Sequence, residues 1–356
     1  AGDAVQGSLY FSLFAGKVEF PLVNMMPYDY IIMGNHEFDN GIERLAEFYK
    51  DVKPTKLSAN YDFRNTPLHG MFKPFDIREY NGKRVAFMGI NLNPKGIIAE
   101  EGYKGLVYSD CEKIAHLTAA YLKNVEHADY VVMVSHIGYD PFGDEDYCDE
   151  KIAKESTDID LILSAHSHTL VKPNTTSGKF PGLIANKNGK LIPVVQSGRS
   201  GKYMSEITID LETGDAHLNQ IKVDKRFDKM AHNEQIEAFL APFTEKVDSL
   251  MHRVLVESSQ DMINGRDDWS LSNWLCDIIL DIAKDIYKGP IDFSIMNRGG
   301  IRQNIAKGAV THGLIMSMLP FSNNFVAIKI KGSDLLDALK VMAKRGGDSV
   351  SKQLYV

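Results

Sequence analysis

Tyr28-Asp-Tyr-Ile-Ile-Met33 runs directly into Gly34-Asn-His-Glu-Phe-Asp39. The first six residues are dominated by Tyr and Ile and read as a strand. The next six gather an amide, an imidazole and two carboxyls at the point where that strand stops. The same juxtaposition recurs. Ser135-His136 closes the apolar run Tyr130-Val-Val-Met-Val134, and Ala165-His-Ser-His168 follows the run Ile159 to Ser164. Gly2-Asp3 is a fourth polar cluster. In layered α/β folds, active groups sit beyond the C-terminal ends of strands, where loops converge. Four clusters far apart in sequence are therefore expected to meet in space.

The surrounding pattern fits that class. Gly41 to Val52 reads as a helix, with Ile42, Leu45, Phe48 and Tyr49 at helical spacing. Arg84 to Gly89 reads as a strand, 108–125 as a helix, 191–196 as a strand and Met204 to Leu211 as a half-buried strand. Residues 232–254 form an amphipathic helical segment in which Pro242 predicts a kink or break. Beyond it follow a helix over 270–287, strands over 291–296 and 325–330, a helix over 333–344 and a final strand over 351–356. The expected domains are residues 1–224, an interdomain helix or linker at 225–256, and a smaller α/β domain at 257–356.

Composition bounds the partners. Forty basic and 47 acidic residues give a net charge of −7, which argues against a polymeric nucleic acid. A small anion remains compatible, because local donors can hold it. No apolar run reaches the roughly 20 residues needed to span a bilayer. Three widely spaced cysteines indicate neither a disulfide framework nor a zinc ribbon.

Imidazoles and carboxylates suit divalent transition metals, and one Asp can bridge two ions. Two ions about 3.5–4 Å apart can clamp a phosphoryl group for in-line attack. Asp3 would bridge, Asn35, His136 and His166 would complete one shell, and His168 would serve the other ion. His166 and His168 can face two ions only if the chain turns between them. Asp39 could bond His36 and fix its tautomer, so that His36 stabilises or protonates a leaving oxygen. Asn35 and Glu37 could equally cap a helix start. In the second domain, Arg302 offers a fork of donors and Phe321 a face for a nucleobase. A surface ion pair and a core aromatic are the competing readings.

Gly34-Asn-His-Glu-Phe-Asp-Asn-Gly41, Ser58-Ala-Asn-Tyr61, Ser135-His136, Ala165-His-Ser-His-Thr169 and Gln196-Ser-Gly198 together resemble the calcineurin-like metallophosphoesterase domain of the 5'-nucleotidase family. Asn297-Arg-Gly-Gly-Ile-Arg302 and Leu319-Pro-Phe-Ser-Asn323 resemble that family's nucleotide-binding C-terminal domain. The resemblance implies a four-layer β-sandwich flanked by helices, joined to a smaller α/β domain. It implies two divalent ions, zinc, manganese or similar, held by Asp3, Asn35, His136, His166 and His168. His36 and Asp39 match the catalytic pair. Asn297, Arg302, Phe321 and Arg266 match positions that hold the nucleoside.

The implied activity is hydrolysis of nucleoside 5'-monophosphates at the periplasm or cell surface. The alternatives are 2',3'-cyclic nucleotides or nucleotide sugars as substrates, or a catalytically weak nucleotide-binding or surface protein. The family places an Asp-x-His motif ahead of Gly-Asp and a second stacking aromatic further along. The expectation is therefore a piece of a longer chain.

Overall fold

A computed structural model of the chain describes residues 1–141, 146–172, 182–265, 268–321, 323–344 and 346–354. Contacts group the chain into two units, residues 1–5 with 16–237 and residues 6–15 with 238–356. In chain order the first unit carries strands β1 (Tyr30–Ile31), β2 (Thr55–Lys56), β3 (Tyr61–Asp62), β4 (Phe75–Tyr80), β5 (Lys83–Asn91), β6 (Val107–Tyr108), β7 (Tyr130–His136), β8 (Leu161–Leu163), β9 (Leu183–Ala185), β10 (Leu191–Val195), β11 (Tyr203–Ile209) and β12 (Ala216–Lys222). Helix α1 (Leu9–Phe14) lies in the second unit, and α2 (Glu19–Met25), α3 (Ile42–Tyr49), α4 (Cys111–Asn124) and α5 (Asp149–Glu155) lie in the first.

Six strands form one sheet in the order β4-β5-β7-β8-β10-β9. Its middle strands β5, β7, β8 and β10 are parallel, and β4 and β9 are antiparallel edges. Every residue of β7 is buried, as expected for a parallel strand covered on both faces. Alternate residues sort to opposite sides. Met88, Ile90, Val131, Met133, Ile162 and Val194 pack with Ala115, Ala119 and Leu122 of α4 and Ile152 of α5. Val85, Tyr130, Val132, Leu161 and Val195 face the other way, against Ile207, Ile209 and Leu218 of the β11–β12 hairpin. Ile32 and Leu57, which flank the short parallel β1–β2 pair, pack on Val134. Helices thus cover one face and β pairs the other, in the expected α/β layering.

The second unit pairs β13 (Val254–Ser258) with β15 (Gly308–Thr311), and β14 (Ile295–Met296) with β16 (Ser349–Val350). Its core joins Leu271 and Leu275 of α7 (Ser270–Ile286) to Ile301, Ile305, Val310 and Met318, the last in α8 (His312–Met318). Helix α9 (Gly332–Lys344) completes the regular elements described.

Three expectations need correction. Helix α6 (Glu234–Met251) runs through Pro242 unbroken. Aromatic packing flanks the proline, with Phe243 against both Phe239 and Phe14 at ring distances of 5.4 and 4.9 Å. Residues 325–330 form no strand; Phe325, Val326 and Ile328 are exposed, and no described strand offers them a ladder. At the end of the chain, pairing stops at Val350 and residues 351–354 turn away, while 355–356 lie outside the described residues. Among the described residues no helix is long and apolar enough to cross a membrane.

Two buried positions in the first unit give tests. A Cβ at Gly89 would stand 2.6 Å from the backbone carbonyl of Leu57, whose segment crosses β5 there. Gly89→Ala is expected to lower unfolding free energy by about 1–3 kcal/mol in a denaturant titration. Asp149 is fully buried, and that burial pushes its carboxyl up to about 7, against the opposing pull of Ser135, Ser164 and His136. The folded chain then holds a proton that the unfolded chain releases near pH 4, so this group's contribution to stability falls as pH rises from about 4 to 7. Asp149→Asn is expected to remove that fall, gaining about 2 kcal/mol on wild type between pH 5 and 7 in paired denaturant curves.

Candidate metal centre

Because the middle strands are parallel, their C-terminal ends open onto one edge. His136 ends β7, Ser164 to His168 follow β8, and Gln196 follows β10. The segment Met33 to Asp39, beyond β1, is fixed to the same edge by a buried amide set. Asn91, the last residue of β5, donates through Nδ2 to the Met33 carbonyl at 2.6 Å. Its Oδ1 accepts from Ser58 at 2.7 Å, and its backbone exchanges hydrogen bonds with the Asn60 side chain at 2.7 and 2.8 Å. This is the local work of Ser58-Ala-Asn-Tyr61.

Asp3 adopts a left-handed backbone, with φ of 53°. Glu37, also buried, secures it. The Glu37 carboxylate accepts from the backbone N–H groups of Asp3 at 2.9 Å, Ala4 at 2.7 Å and Gly34 at 2.7 Å. Asp3 Oδ1 in turn accepts from the His36 amide at 2.9 Å, and its Oδ2 lies 3.1 Å from His136 Nε2. Burial pushes the Asp3 carboxyl up, but the facing His136 ring and the His36 amide outweigh it and hold it well below the usual carboxylate range. Burial and the neighbouring Asp3 raise Glu37. His136 lies nearly fully buried and donates from Nδ1 to the Ala1 carbonyl at 2.7 Å, which leaves Nε2 as its basic nitrogen.

His166 joins this group, with Nδ1 3.0 Å from Asn35 Oδ1. Burial, then the charge of His136, lowers its pKa to about 3. The expected turn is present, since His166 and His168 both take left-handed backbones with φ of 80° and 60°. His168 is exposed and stands outside the compact cluster that Asp3, His136 and His166 form. His36 Nδ1 lies 3.0 Å from Asp39 Oδ2, across a short 3-10 turn. Asn35 makes no capping bond to that turn, so the helix-cap reading of Asn-His-Glu fails.

The donor set fits a divalent ion. One ligand atom from each of Asp3, His136 and His166 lies within 4.8 Å of the others. An oxygen with two imidazole nitrogens is the mixed set that zinc, manganese, iron and cobalt accept. A carbonyl on the far nitrogen of His136 is the usual second partner of a ligating imidazole. The space between the donors is kept open by glycine: a Cβ at Gly34 would stand 2.2 Å from Asp3 Oδ1 and 2.6 Å from His136 Nε2.

Within the second unit, Asn297 begins a Gly-Gly turn and the Arg302 guanidinium sits 5.7 Å over the Phe321 ring. Arg302 also donates to the Gly299 carbonyl at 3.1 Å. Arg266 lies outside the described residues. Sequence reasoning gave no role to Glu37 beyond a helix start, and none to Asn91 or Gln196 by themselves. Their work is to bind backbone groups distant in sequence, which leaves no local periodicity to read.

Comparison with known proteins follows these two parts. Residues 1–170 match the calcineurin-like phosphoesterase family, and residues 254–355 match the 5'-nucleotidase C-terminal domain. Human 5'-nucleotidase is 25% identical over 383 residues, covering 100% of this chain and 64% of that protein. An apyrase of Aedes aegypti is 30% identical over 95% of this chain and 61% of its own length. The chain therefore spans less than two thirds of these relatives. The solved 5'-nucleotidase precursor of Thermus thermophilus superposes with a TM-score of 0.83 at 27% identity, over 98% of this chain and 70% of that one. With a phosphoesterase match over residues 1–170 ahead of a 5'-nucleotidase C-terminal match over residues 254–355, the chain belongs to the 5'-nucleotidase family.

Proposed function

We propose that the protein hydrolyses nucleoside 5'-monophosphates to nucleoside and phosphate with the help of two divalent ions. The carrying observation is the Asp3–His136–His166 cluster beside the bonded His36–Asp39 pair. Residues 1–224 carry the chemistry in this reading, 225–256 connect, and 257–356 bind the nucleoside. Asp3, Asn35, His136 and His166 would hold one ion, with Asp3 shared and His168 turned to the second. Ions bound there would supply Lewis acidity to the phosphoryl oxygens and to a water nucleophile.

The chain's own groups do the rest. Asp39 engages His36 Nδ1, which orients the ring and assigns Nε2 to the phosphate or its leaving oxygen. A carboxylate in that position also stabilises the imidazolium, so that His36 can carry the proton a leaving alkoxide takes up. The Arg302–Phe321 pair offers a cation and an aromatic face, the chemistry that grips a ribose and stacks a base. The rival phosphoesters, a 2',3'-cyclic nucleotide and a nucleotide sugar, are separated from a 5'-monophosphate by a substrate panel.

Two measurements bear on this. Replacing both Asn35 and His136 by Ala should abolish phosphate release from a nucleoside 5'-monophosphate and reduce bound metal measured by mass spectrometry. Hydrolysis that survives the double change removes the proposal. His36→Ala should lower kcat by about 100- to 10,000-fold while bound metal stays at the wild-type level. A kcat within a few fold of wild type would show that no proton or charge is handled there.

A further inference from the structure

Gln196 is buried at the end of β10, on the same edge as the candidate ligands. Its side-chain amide is spent on one short stretch of chain. Nε2 donates to Ser164 Oγ and to the Ala165 carbonyl, both at 2.9 Å, and lies 3.2 Å from Ser167 Oγ. Its Oε1 accepts from Ser167 Oγ at 3.3 Å. The contacts bracket His166 on both sides. Ser167 Oγ extends them, accepting from the Tyr139 amide at 2.9 Å and meeting Thr169 Oγ1 at 3.0 Å. The backbone of Gln196 adds a further tie, accepting from the Val171 amide at 3.0 Å.

The stretch needs such support. His166 and His168 both hold left-handed backbones, which residues with a Cβ leave readily unless the surroundings fix them. Without the turn, imidazoles two residues apart would point to opposite sides of an extended chain. We propose that Gln196 is a positioning residue: its amide locks the Ala165–Thr169 turn so that His166 and His168 present their rings to bound ions. This role rests on the metal-centre reading. The group must be an amide. It donates to a carbonyl and accepts from a hydroxyl at once, which neither a carboxylate nor an alkyl chain can do.

The test uses the full chain with Gln196→Leu, Gln196→Glu and Ser167→Ala. Hydrogen–deuterium exchange without metal reads the backbone of 164–171 directly. Cobalt(II) titration followed by its visible spectrum reads the ligands. Both Gln196 variants are expected to exchange faster in 164–171 only, to bind cobalt about 10- to 100-fold more weakly and to shift its absorption bands. Ser167→Ala should move both readouts the same way and less far, and it decides the matter if the Gln196 variants do not fold. Wild-type exchange and wild-type cobalt affinity in Gln196→Leu would overturn the role of Gln196 alone. A wild-type chain that takes up no cobalt would overturn the metal centre and this role with it.

Discussion

The buried Glu37 carboxylate holds together two segments that local structure alone would leave apart. It accepts three backbone N–H groups, two from the Gly2–Ala4 end and one from Gly34. Hydrogen bonds to an ionised acceptor are the stronger kind, roughly twice as strong as neutral ones. They bring a second carboxylate, that of half-buried Asp3, beside it. The two carboxyls shift in opposite directions: burial and then the Asp3 charge push Glu37 up, while the His136 ring and the His36 amide pull Asp3 down against its burial. His136 offsets part of the charge. What remains is a cluster of carboxylate oxygen and imidazole nitrogens, a donor set that suits a cation rather than a phosphate. In the proposed function, a phosphoester would reach this site only with bound cations reversing that charge.

This explains why the fold was largely legible and the site only partly so. The parallel core announced itself because β5 and β7 are apolar on both faces, and α3 showed its spacing in Ile42, Leu45 and Tyr49. His36 and Asp39 were readable because a three-residue offset is a local quantity. Glu37, Asn91 and Gln196 were not, since each acts on a backbone group supplied by another part of the chain. Residues 325–330 show the opposite failure. Their aromatic and β-branched run fits a strand, but a strand also needs a neighbour, and residue type carries no information about one.

The second unit differs in character. Its described core is small, gathered around Leu271, Leu275, Ile301, Ile305, Val310 and Met318. Arg302 and Phe321 are not part of that core. Their pairing places a cation over an aromatic face, worth about 0.5–1 kcal/mol where it is exposed. An interaction that weak does not build a fold, and in the proposed function it would give way to a base on the ring face. The first unit therefore carries fixed, costly geometry, and the second carries adaptable contacts. That division suits the proposed reaction, in which the phosphate would be held tightly and the nucleoside need only be delivered.

Strain points to the same place. Asp3, His166 and His168 are three of the eight non-glycine residues described with left-handed backbones, and all three are candidate ligands. Each such residue costs of order 1–3 kcal/mol unless neighbours over-determine it. Random placement of turns would not favour ligand positions in this way. At Asp3 the compensation is the Glu37 clamp, and at the histidines it is the Gln196 amide with Ser167. Part of the cost at the candidate ligand positions is thus offset by hydrogen bonds to the backbone at and beside them. Ligands fixed by their backbones need little reorganisation when an ion arrives.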